Sequence, residues 1–194
     1  MISLSVVSTA VATQRLVPSQ YSAIQTAINA ADNGDTVIVE AGTYNENIDF
    51  RGKAITVRSS NPGNFETVKN TIIDGRQRDC CVVFFTDESS NSVLEGFTLT
   101  NGGGMDVDYS YNNGRISGQA GGGILCLNSS PTISRCNITG NGESVSSGSG
   151  RGGGSASTTT IYCGGGIALI GNCQAIFDNC FITNNQADYG PGII

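Results

Sequence analysis

Three stretches of this chain superpose on one another: VLEGFTLTN at 93–101, TISRCNITGN at 132–141 and IFDNCFITNN at 176–185. Leu94, Phe97 and Leu99 match Ile133, Cys136 and Ile138, and these match Phe177, Cys180 and Ile182. The shared pattern is apolar-x-x-apolar-x-apolar, then Thr, then Asn or Gly. It describes two short strands that face inward and meet at a bend. Between the copies lies a second repeated unit, a glycine-led strand: GGGILC at 121–126, GGGIAL at 164–169 and GPGII at 190–194. A repeat of this kind cannot bury its apolar face alone and must stack on its neighbours.

The spacing of the copies tells what is stacked. Ile167 and Ile193 lie 26 residues apart, which suits one turn of a parallel β-solenoid, whereas Ile124 and Ile167 lie 43 apart. The excess falls at one corner each time, at 102–120 and again at 142–163, so two long insertions are expected to leave the same edge side by side. Upstream, DTVIVEAGTY, KAITVRSS, NTIIDG and CCVVFFT read as short strands between polar turns. Only YSAIQTAINAADNGD, at 21–35, reads as helix. Ile24, Ala27, Ile28 and Ala31 form its apolar stripe, Ser22 and Gln25 have capping-box spacing, and Asn33-Gly34 supplies a stop. The expected fold is all-β: a right-handed, single-stranded parallel β-helix occupying 15–194, with a capping α-helix at about 22–32 that covers the first coil. The right hand follows from the rule for parallel crossovers.

The N-terminal segment 1–14 has two readings. Ile2, Leu4 and Val6 alternate with serines, as in a strand; Ala10-Val11-Ala12 also fits a signal-peptide cleavage site, although no basic residues precede the apolar run. At the other end, GPGII begins a strand unit like the two before it. The domain is therefore expected to be C-terminally incomplete, or to cover its last coil by self-association. Pro191 removes a ladder N–H that its counterparts Gly122 and Gly165 retain.

Charge and cysteine usage narrow the partners. A formal net charge of −6 and a pI near 4.4 argue against nucleic acid and against docking on anionic lipid. No run is long enough for a transmembrane helix. Seven Cys (80, 81, 126, 136, 163, 173 and 180), with no C-x-x-C pair and no His to join them, argue against structural zinc. Cys136 and Cys180 are expected in one ladder on neighbouring coils, as stacked core thiols or as a disulfide. Asn128-Ser129-Ser130 and Asn137-Ile138-Thr139 fit the glycosylation sequon.

YSAIQTAINAADNGDTVIVEAGTYNENIDFRGKAITVRSS resembles the N-terminal cap and first coil of the pectate-lyase-like superfamily of right-handed parallel β-helices, and TISRCNITGN and GGGI resemble its repeat units. The resemblance covers nearly the whole chain. It implies a secreted or cell-surface protein with a polysaccharide partner; it does not specify a reaction. GTYNENI, at 42–48, resembles the G-x-Y-x-E signature of pectin methylesterases, but the further motifs of those enzymes are missing and the chain has no Trp. Tyr44 and Glu46 therefore read as a structural corner. FITNNQADYGPGI resembles more weakly the repeats of polymorphic outer-membrane proteins, which are surface adhesins.

Candidate chemistry concentrates in the first insertion, GGGMDVDYSYNNGRISGQA. Asp106, Asp108, Ser110 and Asn112 alternate and offer oxygens to Ca²⁺, the one candidate cofactor. The EF-hand pattern fails, because it needs Gly where Tyr111 stands and Glu where Ser117 stands. Tyr109 and Tyr111 are candidates for stacking on sugar rings, with Asp106, Asp108 and Arg115 as hydrogen-bonding groups. DGRQRD, at 74–79, reads as a solvated charged turn with surface ion pairs, and the second insertion as a low-complexity segment. No catalytic set is complete: polygalacturonase chemistry needs a His the chain does not have. The function expected is a secreted or surface binding or structural module that interacts with carbohydrate and has no catalysis of its own. The alternatives are a polysaccharide lyase or hydrolase with its site on the insertion edge, and a self-assembling scaffold or adhesin.

Overall fold

The computed structural model describes residues 11–111, 114–142, 162–190 and 192–194, with the backbone alone at 111, 114–116 and 162. The chain opens with β1 (Gln14–Val17) and α1 (Ile24–Ala30) and then runs through three parallel sheets in fixed order. The first round is β2 (Thr36–Val39), β3 (Gly42–Tyr44) and β4 (Ile48–Asp49). The second is β5 (Thr56–Ser59), α2 (Phe65–Asn70), β6 (Thr71–Asp74) and β7 (Val82–Phe84). The third is β8 (Val93–Glu95), β9 (Thr98–Thr100), a hairpin of β10 (Met105–Tyr111) and β11 (Gly114–Ala120), and β12 (Ile124–Leu127). The fourth is β13 (Thr132–Ser134), β14 (Asn137–Thr139), β15 (Tyr162–Cys163) and β16 (Ile167–Ile170). β17 (Ile176–Asp178) and β18 (Phe181–Thr183) begin a fifth.

One sheet is β1-β2-β5-β8-β13-β17, the second β3-β6-β9-β14-β18 and the third β4-β7-β12-β16. Every pairing within these three is parallel. The repeat read in the sequence is the register of these sheets: Leu94 pairs with Ile133 and Ile133 with Phe177, while Leu99 pairs with Ile138 and Ile138 with Ile182. Val82, Ile124 and Ile167 make the third column, and an isolated bridge from Ile167 extends it to Ile193. These side chains, from Val37 and Val57 in the early rounds to Ile138 and Ile167, belong to a single apolar core. An in-register parallel stack places like residues about 4.8 Å apart, so each column is a ladder of similar volumes.

Left-handed backbone turns the corners. Arg135 (φ 51°) and Asn179 (φ 53°) repeat one corner, and Asn101 and Asn184 (both φ 55°) another. Asn tolerates this region better than most residues, which explains its abundance at strand ends. The glycine onsets answer a different demand. A Cβ on Gly102 would lie 1.7 Å from the carbonyl oxygen of Gly122, and one on Gly165 would lie 2.1 Å from that of Gln186. At this corner neighbouring rounds touch backbone to backbone.

Several expectations are corrected. The helix spans Ile24–Ala30, shorter than 22–32, and the Ser22–Gln25 capping box does not form. Instead Glu46 Oε1 and Oε2 accept the N–H groups of Ile24 and Gln25, each at 2.9 Å. The Gln25 side chain spans to the Asp49 backbone. At the other end Lys53 Nζ donates to the carbonyls of Ile28, Asn29 and Ala31. Round-to-round partners thus replace the local caps that sequence spacing suggested. α1 buries Ile24, Ala27 and Ile28 against the same core.

α2 was not legible as a helix, since six residues carry too little periodicity; Asn64 caps it by accepting Thr67 N–H at 2.9 Å. β1, paired with β2, was not expected either. The two readings of 1–14 fall mainly on residues 1–10, outside the described residues, as does Pro191.

Candidate functional site

The first insertion is an antiparallel hairpin rather than a loop, with Asp106 opposite Gln119, Asp108 opposite Ser117 and Ser110 opposite Arg115. Alternation along β10 separates its residues into two faces. Met105, Val107 and Tyr109 pack on Val83, Leu125, Ala168 and Ile170, covering the outer face of the third sheet as a second apolar cluster. Tyr109 is therefore half-buried, and its hydroxyl makes a long contact of 3.5 Å to Asn128 Oδ1. The apolar outer face of β12 and β16 needs a cover, and Tyr109 is part of it.

Asp106, Asp108 and Ser110 occupy the opposite, exposed face. Residues two apart on a strand are about 7 Å apart at Cα, so these three form an exposed row. Among the described residues no group of three or more Asp, Glu, Cys or His side chains is gathered as for a metal. Tyr111 and Arg115 lie at opposite strand ends beside the turn; their side chains are outside the described residues, and so is Asn112 altogether. The second insertion returns as β15, which pairs in parallel with β11. Gly142 N–H also donates to Gly102 O at 2.7 Å, so the described ends of the two insertions are adjacent; residues 143–161 lie outside the described residues.

The turn at 74–79 comes to the base of this hairpin. Asp79 O accepts Gly103 N–H at 3.0 Å, and burial, with Asp106 adding to it, pushes the Asp79 carboxyl above the usual range. Sequence distance hid this approach of the turn to the hairpin. Elsewhere in the turn, Asp74 accepts from the Arg76 backbone and from Asn101 Nδ2.

A second concavity was not anticipated. α2 and the corner between the first and second sheets enclose a groove of about 240 Å³. Phe65 stands on one wall and Phe181 on the other, 67% and 64% exposed. Arg135, Asn137 and Asn179 supply its polar groups. Arg135 is paired with Glu95, so its charge is already compensated. In the sequence, Phe181 looked like one more repeat residue and Phe65 like part of a turn. The one signal was that Phe181 stands where its counterparts are Thr98 and Asn137, an aromatic on the outward side of a strand.

Two buried carboxylates are structural. Asp35 accepts the N–H groups of Asp32 and Thr13 and two bonds from Arg15. Glu88 accepts from Gly52 N, Thr86 N and Ser129 Oγ. Glu46, as above, is occupied by α1. None of these is free for esterase chemistry. No helix among the described residues is long and apolar enough to cross a membrane. Comparison of the chain with models of known families, with curated proteins and with solved structures returns no match.

Proposed function

We propose that the chain is a right-handed, single-stranded parallel β-helix of the pectate-lyase-like kind, secreted or displayed at a cell surface, and that it binds glycan without catalysis. The observation that carries this reading is the groove between Phe65 and Phe181. Exposed aromatic rings on two walls stack on the apolar faces of sugar rings, and the amides of Asn137 and Asn179 bond ring hydroxyls. At about 240 Å³ it lies below the roughly 300 Å³ floor of drug-sized pockets, a size suited to one ring of a longer chain. The Arg135–Glu95 pair leaves the groove without net charge, which favours a neutral glycan. Binding on a glycan array, repeated with Phe65→Ala and Phe181→Ala, tests this; equal binding by wild type and both variants would remove the groove from the proposal.

A second reading rests on Asp79 and Asp106. One carboxyl raised beside another acidic residue is the arrangement that separates an acid from a base. It would place a polysaccharide lyase or hydrolase site at the hairpin base, with Asp108, Ser110 and Arg115 nearby and Ca²⁺ as its candidate ion. Appearance of unsaturated uronate or new reducing ends on a panel of polysaccharides would favour it over binding alone. The scaffold reading rests on the apolar side chains of the last round, Ile176, Phe181, Ile193 and Ile194, which are about half exposed or more. Light scattering against concentration tests it: a monomer at all concentrations argues against self-assembly.

A further inference from the structure

Cys136 and Cys180 occupy equivalent places on successive rounds. Ser134 pairs with Asp178 just before them and Asn137 with Phe181 just after. Each follows a residue in the same left-handed conformation, Arg135 or Asn179, so the two side chains leave the backbone alike. In-register parallel strands bring such Cα atoms to about 4.8 Å, inside the 4.4–6.8 Å span of disulfides. Their thiols lean alike onto the preceding round, Cys180 Sγ donating to Ile133 O at 3.5 Å and Cys136 Sγ to Leu94 O at 3.9 Å.

The pair is asymmetric. Cys136 is 1% exposed, and its thiol also reaches Ser134 O at 3.3 Å; Cys180 is partly exposed. The neighbouring Cys136 thiol draws the Cys180 thiol below its ordinary range, whereas burial pushes Cys136 well above it. An accessible, more acidic thiol beside a buried partner is the arrangement of an attacking and a resolving cysteine. The other neighbouring pair differs: Cys173 Sγ points at the carbonyl of Cys126, 3.3 Å away, and Cys126 is paired in register with Leu169. Cys80 and Cys81 are fully buried.

We propose that Cys136 and Cys180 form a redox-active dithiol that closes to a disulfide by exchange with a small-molecule disulfide. Cys180, as thiolate, attacks one sulfur of the reagent; the reagent's S–S bond breaks and the first thiol leaves, taking up the proton Cys180 released. Cys136 then attacks Cys180 Sγ; the mixed disulfide breaks and the second thiol leaves with the Cys136 proton. Two cysteine thiols are oxidised, and one reagent disulfide is reduced to two thiols. The new bond ties the fourth round to the fifth beneath Asn179 and Phe181.

The test uses the full chain and oxidised glutathione, followed by alkylation under denaturing conditions and non-reducing peptide mass spectrometry. The expected product links Cys136 to Cys180 and leaves Cys80, Cys81 and Cys126 alkylated. Cys136→Ala is expected to stop at glutathione on Cys180, and Cys180→Ala to leave Cys136 unmodified. Wild-type protein that ends with both thiols free, or with glutathione persisting on Cys180, overturns the proposal whether or not either variant folds.

Discussion

Asn141 donates both its backbone N–H and its side-chain amide to one atom of Asn185, Oδ1, at 3.0 Å each. The same amide donates to Leu99 O, and Asn141 Oδ1 accepts Gly102 N–H, both at 2.9 Å. One buried side chain thus joins three successive rounds. Asn141→Ala strands Leu99 O and Gly102 N in the interior, and a loss of about 2–3 kcal/mol is expected. Asn185→Ala, at a half-buried site, is expected to lose less. Urea titration of the two variants checks the order.

Gly102 is required for space rather than for an unusual φ. With the Gly122 carbonyl oxygen 1.7 Å from any Cβ, Gly102→Ala must push two rounds apart. Its destabilisation should exceed that of Gly140→Ala, where the nearest atom is a Thr100 hydroxyl at 3.2 Å and the cost is mainly that of a left-handed residue, about 1 kcal/mol. Thermal melts of the two variants decide this.

Glu46 holds α1 to the first round. Glu46→Ala leaves the Ile24 and Gln25 N–H groups without their acceptors, and a loss of about 1–2 kcal/mol is expected. Glu46→Gln keeps one good acceptor and should lose roughly half as much. A ranking of wild type, Gln and Ala in denaturant midpoint supports this role; equal midpoints would refute it.

Asp35 makes stability depend on acid. The Asp32 and Thr13 N–H groups, joined by Arg15 and opposed by burial, hold its carboxyl below the usual range. Its folded pKa is therefore lower than its unfolded one, so its contribution is fully present above pH of about 4 and is lost as pH falls through the folded value. Between pH 6 and 3, Asp35→Asn should lose less stability than wild type. Paired urea titrations at the two pH values measure the difference.

Phe65 and Phe181 are mostly exposed, so Phe65→Ala and Phe181→Ala should shift stability by about 0.5 kcal/mol or less. On the proposed function each should weaken glycan binding at least severalfold. Calorimetric titration with an array-identified oligosaccharide, alongside a melt, separates the two effects.

Much of the architecture was readable because its cause is local and repeats. The pattern running from Leu94 to Leu99, through Ile133 to Ile138 and Phe177 to Ile182, determined which side chains face inward and which residues pair across rounds. The glycine onsets and the corner asparagines marked the bends. What tertiary structure decided was contact between segments far apart in the chain. Glu46 replaced Ser22 as the helix cap, the hairpin turned Tyr109 inward to cover β12 and β16, Asp79 came to the base of that hairpin, and Phe65 of α2 came to face Phe181 across a groove. Hydrophobic period reports how a residue faces its own strand; it carries no information about which distant polar group or ring will lie opposite. Register between rounds supplies that, and register is a property of the stack.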